Sequence, residues 1–352
     1  MNKRLLRQFP LLISWIMIVS FISCQKTNEE SVERLIIPIE ISEPELFIDF
    51  EQYGLLVPWQ VELLSDGTLS VLDFQANKVL IIDSEGELKT SFGRSGRGPG
   101  EFTRPVSLQK SQGDLFVFDA ELLQVSHFRS SGVFVHSFSV DTREAVTVLD
   151  ENRFFEKALG EESSLIKKVN RAEESIFYFG DAMGEKYQFG DLDIERRVLQ
   201  RGEIPSSFKN DITMYYESPY LYVFLDAYSR LQKYSEDGDL IWDEPINLAI
   251  NDIIFNNVVD RAREPGPPGT VPVLSYITSM KVINGQTYLL WNPVEDHSRK
   301  LVKIDQKGTL EIIYNIPEEE PMFADFGIDP VNNFLYLSAP ENGQIYRTKL
   351  PE

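Results

Sequence analysis

Few residues in this chain have the type and spacing for chemistry. It holds three histidines, His127, His136 and His297, and a single cysteine, Cys24. One cysteine excludes an internal disulfide framework and any zinc cluster built from thiolates. No Gly-x-Ser-x-Gly elbow is present for a serine nucleophile. The glycine run from Gly93 to Gly100 is not followed by Gly-Lys-Ser/Thr, so it is no phosphate-binding P-loop. Acidic pairs such as Asp191 with Asp193 carry little information among 55 acidic residues. The residues therefore predict no catalytic set, no metal ligands and no cofactor, with carboxylate-based hydrolysis as the catalytic alternative. What remains is suited to binding. Asp73, Asp119 and Asp226 each end an apolar run, Arg94, Arg97 and Arg104 surround the glycine run, and Trp291, Asp296, His297 and Arg299 form a mixed aromatic and charged cluster. An aspartate at such a position is first of all a turn residue whose carboxylate accepts from nearby backbone N–H groups. Exposed arginines are ordinary on a surface, and Trp59, Trp242 and Trp291 are first of all packing residues.

The chain has 352 residues with 34 basic and 55 acidic side chains, a formal charge of −21. That balance argues against nucleic acid, which needs a basic surface to displace counterions. A hydrophobic content of 42% supplies a sizeable core. The N-terminus is organised differently. Lys3, Arg4 and Arg7 precede an apolar stretch, Leu11 to Phe21, broken only by Ser14 and Ser20, in the pattern of a signal peptide. The segment Phe21-Ile22-Ser23-Cys24 that follows resembles the lipobox of bacterial lipoproteins. The resemblance implies cleavage before Cys24 and lipid on its thiol, with residues 1–23 as signal peptide, 24–34 as a polar tether and 35–352 as the folded domain. Cleavage removes three basic groups and no acidic ones, leaving 31 against 55 and a charge of −24.

The folded part is repetitive. Leu69 to Asp73, Val79 to Asp83 and Gly86 form one unit; Leu115 to Asp119, Val125 to Phe128 and Gly132 form a second; Tyr222 to Asp226, Leu231 to Tyr234 and Gly238 form a third. From the aspartate to the glycine the distance is 13, 13 and 12 residues. Weaker copies place Ile176 to Phe179 before Gly184, and Leu289 to Trp291 with Leu301 to Ile304 before Gly308. Spacings of 46, 52, 54 and 70 between the five glycines suit the roughly 40 to 50 residues of a four-stranded propeller blade. A sixth unit carries Leu335 to Leu337 and Ile345 to Arg347, and the chain ends before an outer strand. The expected fold is all-β, a six-bladed β-propeller whose last blade is completed by the N-terminal run Ile36 to Ile41.

Between the first two units lies Phe92 to Phe102, with Pro105 beyond it. This segment is similar to the inter-blade loop of NHL-repeat propellers and of TolB-like six-bladed bacterial lipoproteins. In such a loop glycines allow positive φ, Phe102 wedges between blades and Pro105 opens the next inner strand. Some NHL-type propellers are lyases with several metal-binding histidines in the central channel. That set does not carry over, because His127 and His136 fall on the second blade's outer strands.

If each blade runs from inner strand A to outer strand D, the B–C turns and D–A crossovers share one face. Asp73, Asp119, Asp226, Arg94, Arg97, Arg104, Trp291, His297 and Arg299 are all expected there, and that loop-rich face is the candidate binding surface. An insertion at 247–274 lies on the same face, with Ile250, Ile253, Ile254, Val258 and Arg261 spaced as one side of a short helix. The expected function is a non-enzymatic, membrane-anchored protein that binds an envelope protein or peptide. Its rival is an extracytoplasmic glycan-binding or glycan-cleaving protein. The expected location is the bacterial cell envelope, anchored by lipid on the periplasmic or the cell-surface side.

Overall fold

The computed structural model describes residues 36–158, 163–183, 191–267, 269–293, 297, 299–317 and 321–351. Two short N-terminal strands, β1 (Ile39–Glu40) and β2 (Glu45–Ile48), and a one-turn helix, α1 (Phe50–Tyr53), precede the first blade. Blade one is β3 (Pro58–Leu63), β4 (Leu69–Asp73), β5 (Lys78–Ile82) and β6 (Leu88–Phe92). Blade two is β7 (Pro105–Ser111), β8 (Asp114–Asp119), β9 (Gln124–Phe128) and β10 (Phe134–Ser139). Blade three is β11 (Val146–Val148), β12 (Arg153–Lys157), β13 (Ser164–Asn170) and β14 (Ser175–Asp181), followed by helix α2 (Leu192–Gln200). Blade four is β15 (Ile212–Glu217), β16 (Tyr220–Leu225), β17 (Arg230–Ser235) and β18 (Leu240–Pro245), followed by helix α3 (Ala249–Arg263). Blade five is β19 (Ile277–Ile283), β20 (Gln286–Trp291), β21 (Arg299–Ile304) and β22 (Leu310–Ile316). Blade six has three strands of its own, β23 (Asp325–Asp329), β24 (Phe334–Ala339) and β25 (Gln344–Lys349).

The first strands of the blades touch one another in a closed cycle, β3 to β7, β11, β15, β19, β23 and back to β3, which defines the axis of a six-bladed propeller. Middle strands are almost wholly buried, as in β4 and β16, because both of their faces pack against neighbouring blades. Outer strands such as β6 alternate between exposed and half-buried positions. A bulge recurs between the third and fourth strands of blades one, two, four and five, so the repeat extends to backbone detail.

An N-terminal strand does close the ring, but it is β2. This strand pairs antiparallel with β25, setting Glu45 opposite Arg347 and Ile48 opposite Ile345. The expected run, Ile36 to Ile41, instead supplies β1, a fifth and parallel strand on the edge of blade five. Pro38 has no N–H to give a ladder, which suits the run to an added edge. Burial rises along Glu45 to Ile48, from exposed Glu45 and Leu46 to fully buried Ile48, with a bulge between Leu46 and Ile48 that turns Ile48 into the core.

Blade three is out of phase with the sequence reading. Ile176 to Phe179 is its outermost strand, β14, and Gly184 lies outside the described residues. Its inner layers escaped notice because they bury charge: Lys157, Lys167 and Glu156 are all less than a tenth exposed. Lys167 is 2.8 Å from Glu156 and 3.2 Å from Asp141.

The expected helix lies within 247–274, as α3. Helix α3 buries Ile250, Ile254, Val258 and Ala262 on one side, and Arg261 is exposed. Helix α2 was not anticipated. Asp191 caps it by accepting from the Asp193 backbone N–H at 2.9 Å, which explains the acidic pair. The two helices are joined through Arg196 and Gln200, which donate to the Ala262 carbonyl near the end of α3, each at 2.9 Å.

Candidate functional site

The residues expected to form a site lie where topology put them, at the B–C turns and D–A crossovers. The carboxylate of Asp73 accepts from the backbone N–H groups of Leu56, Val57 and Ala76 at 2.7, 3.1 and 3.0 Å. Asp119 repeats this with Thr103, Arg104, Glu121 and Leu122. Each aspartate thus pins the incoming crossover of its own blade. Asp226 is different: it is buried, with the Thr213 and Ser275 hydroxyls each donating at 3.2 Å. Burial pushes its carboxyl up to about 7, against the lowering effect of those two hydroxyls.

The glycine-rich crossover holds its own anion. Arg94 Nε and the Gly98 N–H each donate to Glu101 at 2.8 Å. The Gly98 N–H and then Arg94 hold the Glu101 carboxyl below the usual carboxylate range. Phe102 is fully buried between Leu72 and Val79 of blade one and Phe128 of blade two, which is the expected wedge. Arg97 and Arg104 are exposed. Trp291 is 1% exposed, stands 6.1 Å from Phe224, and its Nε1 donates to Asn251 of α3 at 3.1 Å. Arg299 is half-buried above the Phe323 ring and His297 is exposed, while Asp296 and Cys24 lie outside the described residues.

The cavity that gathers all six blades opens on the opposite face. About 790 Å³ in volume, it is lined by the A–B turns around the axis, with Asp66, Lys110, Arg153, Tyr215, Glu217 and Asp329 among its polar walls. These walls are braced. Glu217 of blade four accepts from the Asn284 and Gly285 N–H groups of blade five at 2.8 and 2.7 Å. Arg153 of blade three reaches Glu236 of blade four at 3.0 Å. Lys110 of blade two donates to the Leu63 carbonyl of blade one at 2.7 Å.

Inside the ring is a buried charge cluster. Lys281 on β19 contacts Glu62 on β3 at 2.5 Å and Asp325 on β23 at 3.2 Å, joining blades five, one and six. Its ammonium also donates to the Val61 carbonyl at 3.1 Å, and Asp325 accepts from the Val61 N–H at 2.8 Å. Burial pulls the Lys281 pKa down, but Asp325 and Glu62 outweigh it and hold it above the usual lysine value. Tyr215 links this cluster to the cavity: it lines the cavity, and the Lys281 ammonium stands 6.0 Å from its ring. Burial, followed by the charges of Glu62, Glu217 and Asp325, pushes its hydroxyl well above the usual range, so it stays a neutral donor. Sequence reasoning missed this site because its polar residues sit singly within apolar inner strands. The available signal was the turn chemistry opposite the aspartates, where Gly67, Gly113, Gly285 and Asn333 all have positive φ.

No family model and no curated protein matches the chain. Solved structures do. A Bacteroides fragilis protein named "Putative exported protein" is 10% identical with a TM-score of 0.53, covering 90% of this chain and 100% of that one. A member of the duf4221 family from Bacteroides vulgatus is 8% identical with a TM-score of 0.53, covering 88% and 94% of the two chains. At such identities the likeness extends to the fold alone. No described helix is long and apolar enough to cross a membrane.

Proposed function

We propose that this chain is an exported β-propeller, tethered through lipid on Cys24 to the bacterial cell envelope, that binds an envelope protein or peptide without catalysing a reaction. The observation that carries the reading is the cavity of about 790 Å³ at the channel mouth, where six sets of turns present lysine, arginine, carboxylate and tyrosine side chains on a braced rim. An extended peptide matches that mixture, since it offers backbone donors and acceptors as well as side-chain charges. The crossover bearing Arg97 and Arg104, with His297 and Arg299, is a second surface on the opposite face for the same partner. The export signal, the lipobox-like segment and the NHL- and TolB-like inter-blade loop support the envelope location. The likeness to the Bacteroides fragilis protein supports it through that protein's name.

Photo-crosslinking in intact cells tests this reading, with a probe at Gln112 on the mouth or at Arg104 on the other face. Capture of one partner from Gln112, lost in Tyr215→Ala, is expected. Capture from Arg104 alone would overturn the mouth as the site. Cys24→Ala is expected to abolish fatty-acid labelling, and unchanged labelling would overturn the anchor. The glycan reading retains one specific support: Trp59 is 43% exposed and lies 6.1 Å from Phe74, an aromatic pair on which a sugar ring can stack. Glycan-array binding that disappears in Trp59→Ala would favour it.

A further inference from the structure

On blade two, away from the channel, His127 on β9 and His136 on β10 are directly opposite in the strand register. Their rings stand edge to face with centroids 5.1 Å apart. Glu151, on the A–B turn of blade three, brings a carboxylate to the same place, and one donor atom from each of the three lies within 4.8 Å of the others. His127 and Glu151 line a cleft of about 590 Å³ between the two blades.

The neighbours of His127 select the tautomer of its neutral ring. Its Nε2 is 2.8 Å from an Asp114 carboxylate oxygen that also accepts from Arg129 at 2.7 Å. A carboxylate oxygen can only accept, so Nε2 carries the hydrogen. In the neutral ring Nδ1 is then a bare lone pair. That Nδ1 is buried without a hydrogen-bond partner among the described residues, in a residue 2% exposed and stacked 4.5 Å from Phe116. A buried acceptor left unpaired is destabilising, so its retention calls for a partner that the described residues do not supply.

We propose that His127 Nδ1, His136 and Glu151 form a binding site for a divalent transition-metal ion, zinc being the best match. Two imidazoles and a carboxylate are a common zinc donor set, and three protein ligands leave a fourth tetrahedral position for water or a bound molecule. The Asp114–His127 contact is the carboxylate–histidine pair that fixes tautomer and ring orientation beside a metal. With metal–ligand bonds of about 2.1 Å, tetrahedral donors sit roughly 3.4 Å apart, so a bound ion draws together donors that now lie within 4.8 Å of one another. Neighbouring cations do not oppose the ion: Arg129 is paired with Asp114, and Arg153 with Asp150 and Glu236. The cleft borders the channel mouth, sharing Ser111, Gln112 and Arg153 with it, but none of the three ligands lines the mouth, so ion binding requires nothing of the proposed partner binding. It also revises the expectation that these histidines hold no metal.

Calorimetric titration of untagged protein with zinc chloride tests the site. Expected is one ion per chain, with affinity reduced about 10-fold or more in Glu151→Gln and about 100-fold in His136→Ala, and unchanged in His297→Ala. Zinc should raise the melting midpoint of the parent and not that of His136→Ala, and cobalt(II) should give a tetrahedral visible spectrum lost in the same variant. Substoichiometric binding, or equal affinity in His136→Ala shown by circular dichroism to be folded, would overturn the proposal. An unchanged affinity in Glu151→Gln would overturn the assignment of that ligand.

Discussion

Single residues carry the joints between blades. Gly93 has φ of +84°, and a Cβ there would clash with the Phe102 ring. Gly93→Ala therefore strains the backbone and displaces the wedge at once. It is expected to cost about 2 kcal/mol or more in urea unfolding, whereas Gly67→Ala, with positive φ but open space around its Cβ, should cost less. Asp226 introduces a pH dependence. Its folded pKa of about 7 lies above the ordinary 3.8, so the native state holds the proton more tightly than the unfolded chain. The associated stability is complete below the unfolded value and is lost as pH rises through about 7. Asp226→Asn is permanently neutral and escapes this loss. Its stability relative to the parent should improve by roughly 2 kcal/mol between pH 5 and pH 8, read as the difference in urea midpoints; a constant difference would contradict the burial effect.

Among the elements, β2 and β1 look alike in composition but do different work. Ile48 of β2 is fully buried and joins Leu80, Ile82 and Tyr336 in one cluster, while Ile39 of β1 is half-buried at an edge. Ile48→Ala should cost about 2–5 kcal/mol, and Ile39→Ala under about 1 kcal/mol. A chain beginning at residue 43 should fold, whereas one beginning at residue 50 should expose the β25 edge and aggregate, as light scattering would report. The helices show the complementary case. α3 was legible because Ile250, Ile254 and Val258 recur every fourth residue. α2 was hidden because its burial rests on Glu195 and Leu199, too short an apolar pattern to stand out. The Ser207 hydroxyl satisfies Glu195 only after the chain has folded back.

At the scale of the molecule, Lys281 links the blades on either side of the closure. Glu62 and Lys281 are 219 positions apart in the chain, yet each satisfies the other in the ring interior. Lys281→Met would leave two carboxylates buried without their cation. A loss of about 3–5 kcal/mol in global stability is expected, partly restored when Glu62→Gln is added; a neutral single substitution would show the cluster to be solvated. The same ring decides which face is concave. Inserted helices and crossovers fill the face that carries the aspartates, and the short A–B turns leave the other open.

The amino-acid sequence alone determined the blade repeat outside blade three, the turn roles of Asp73 and Asp119, the Phe102 wedge and a helix within 247–274, because each depends on partners within one or two neighbouring strands. Asp73 and Asp119 show how direct this is, since strand period and turn chemistry are written in adjacent residues. Only the tertiary structure decided that β2 closes the ring, that the cavity opens on the A–B turns, and that Lys281 meets Glu62 and Asp325. It also decided that His127, His136 and Glu151 converge. The meeting with Glu151 needs only that blades two and three pack side by side, while the others depend on closing a ring of six blades. Closure places distant residues side by side, and no local periodicity records which of many isolated polar residues will face one another across it.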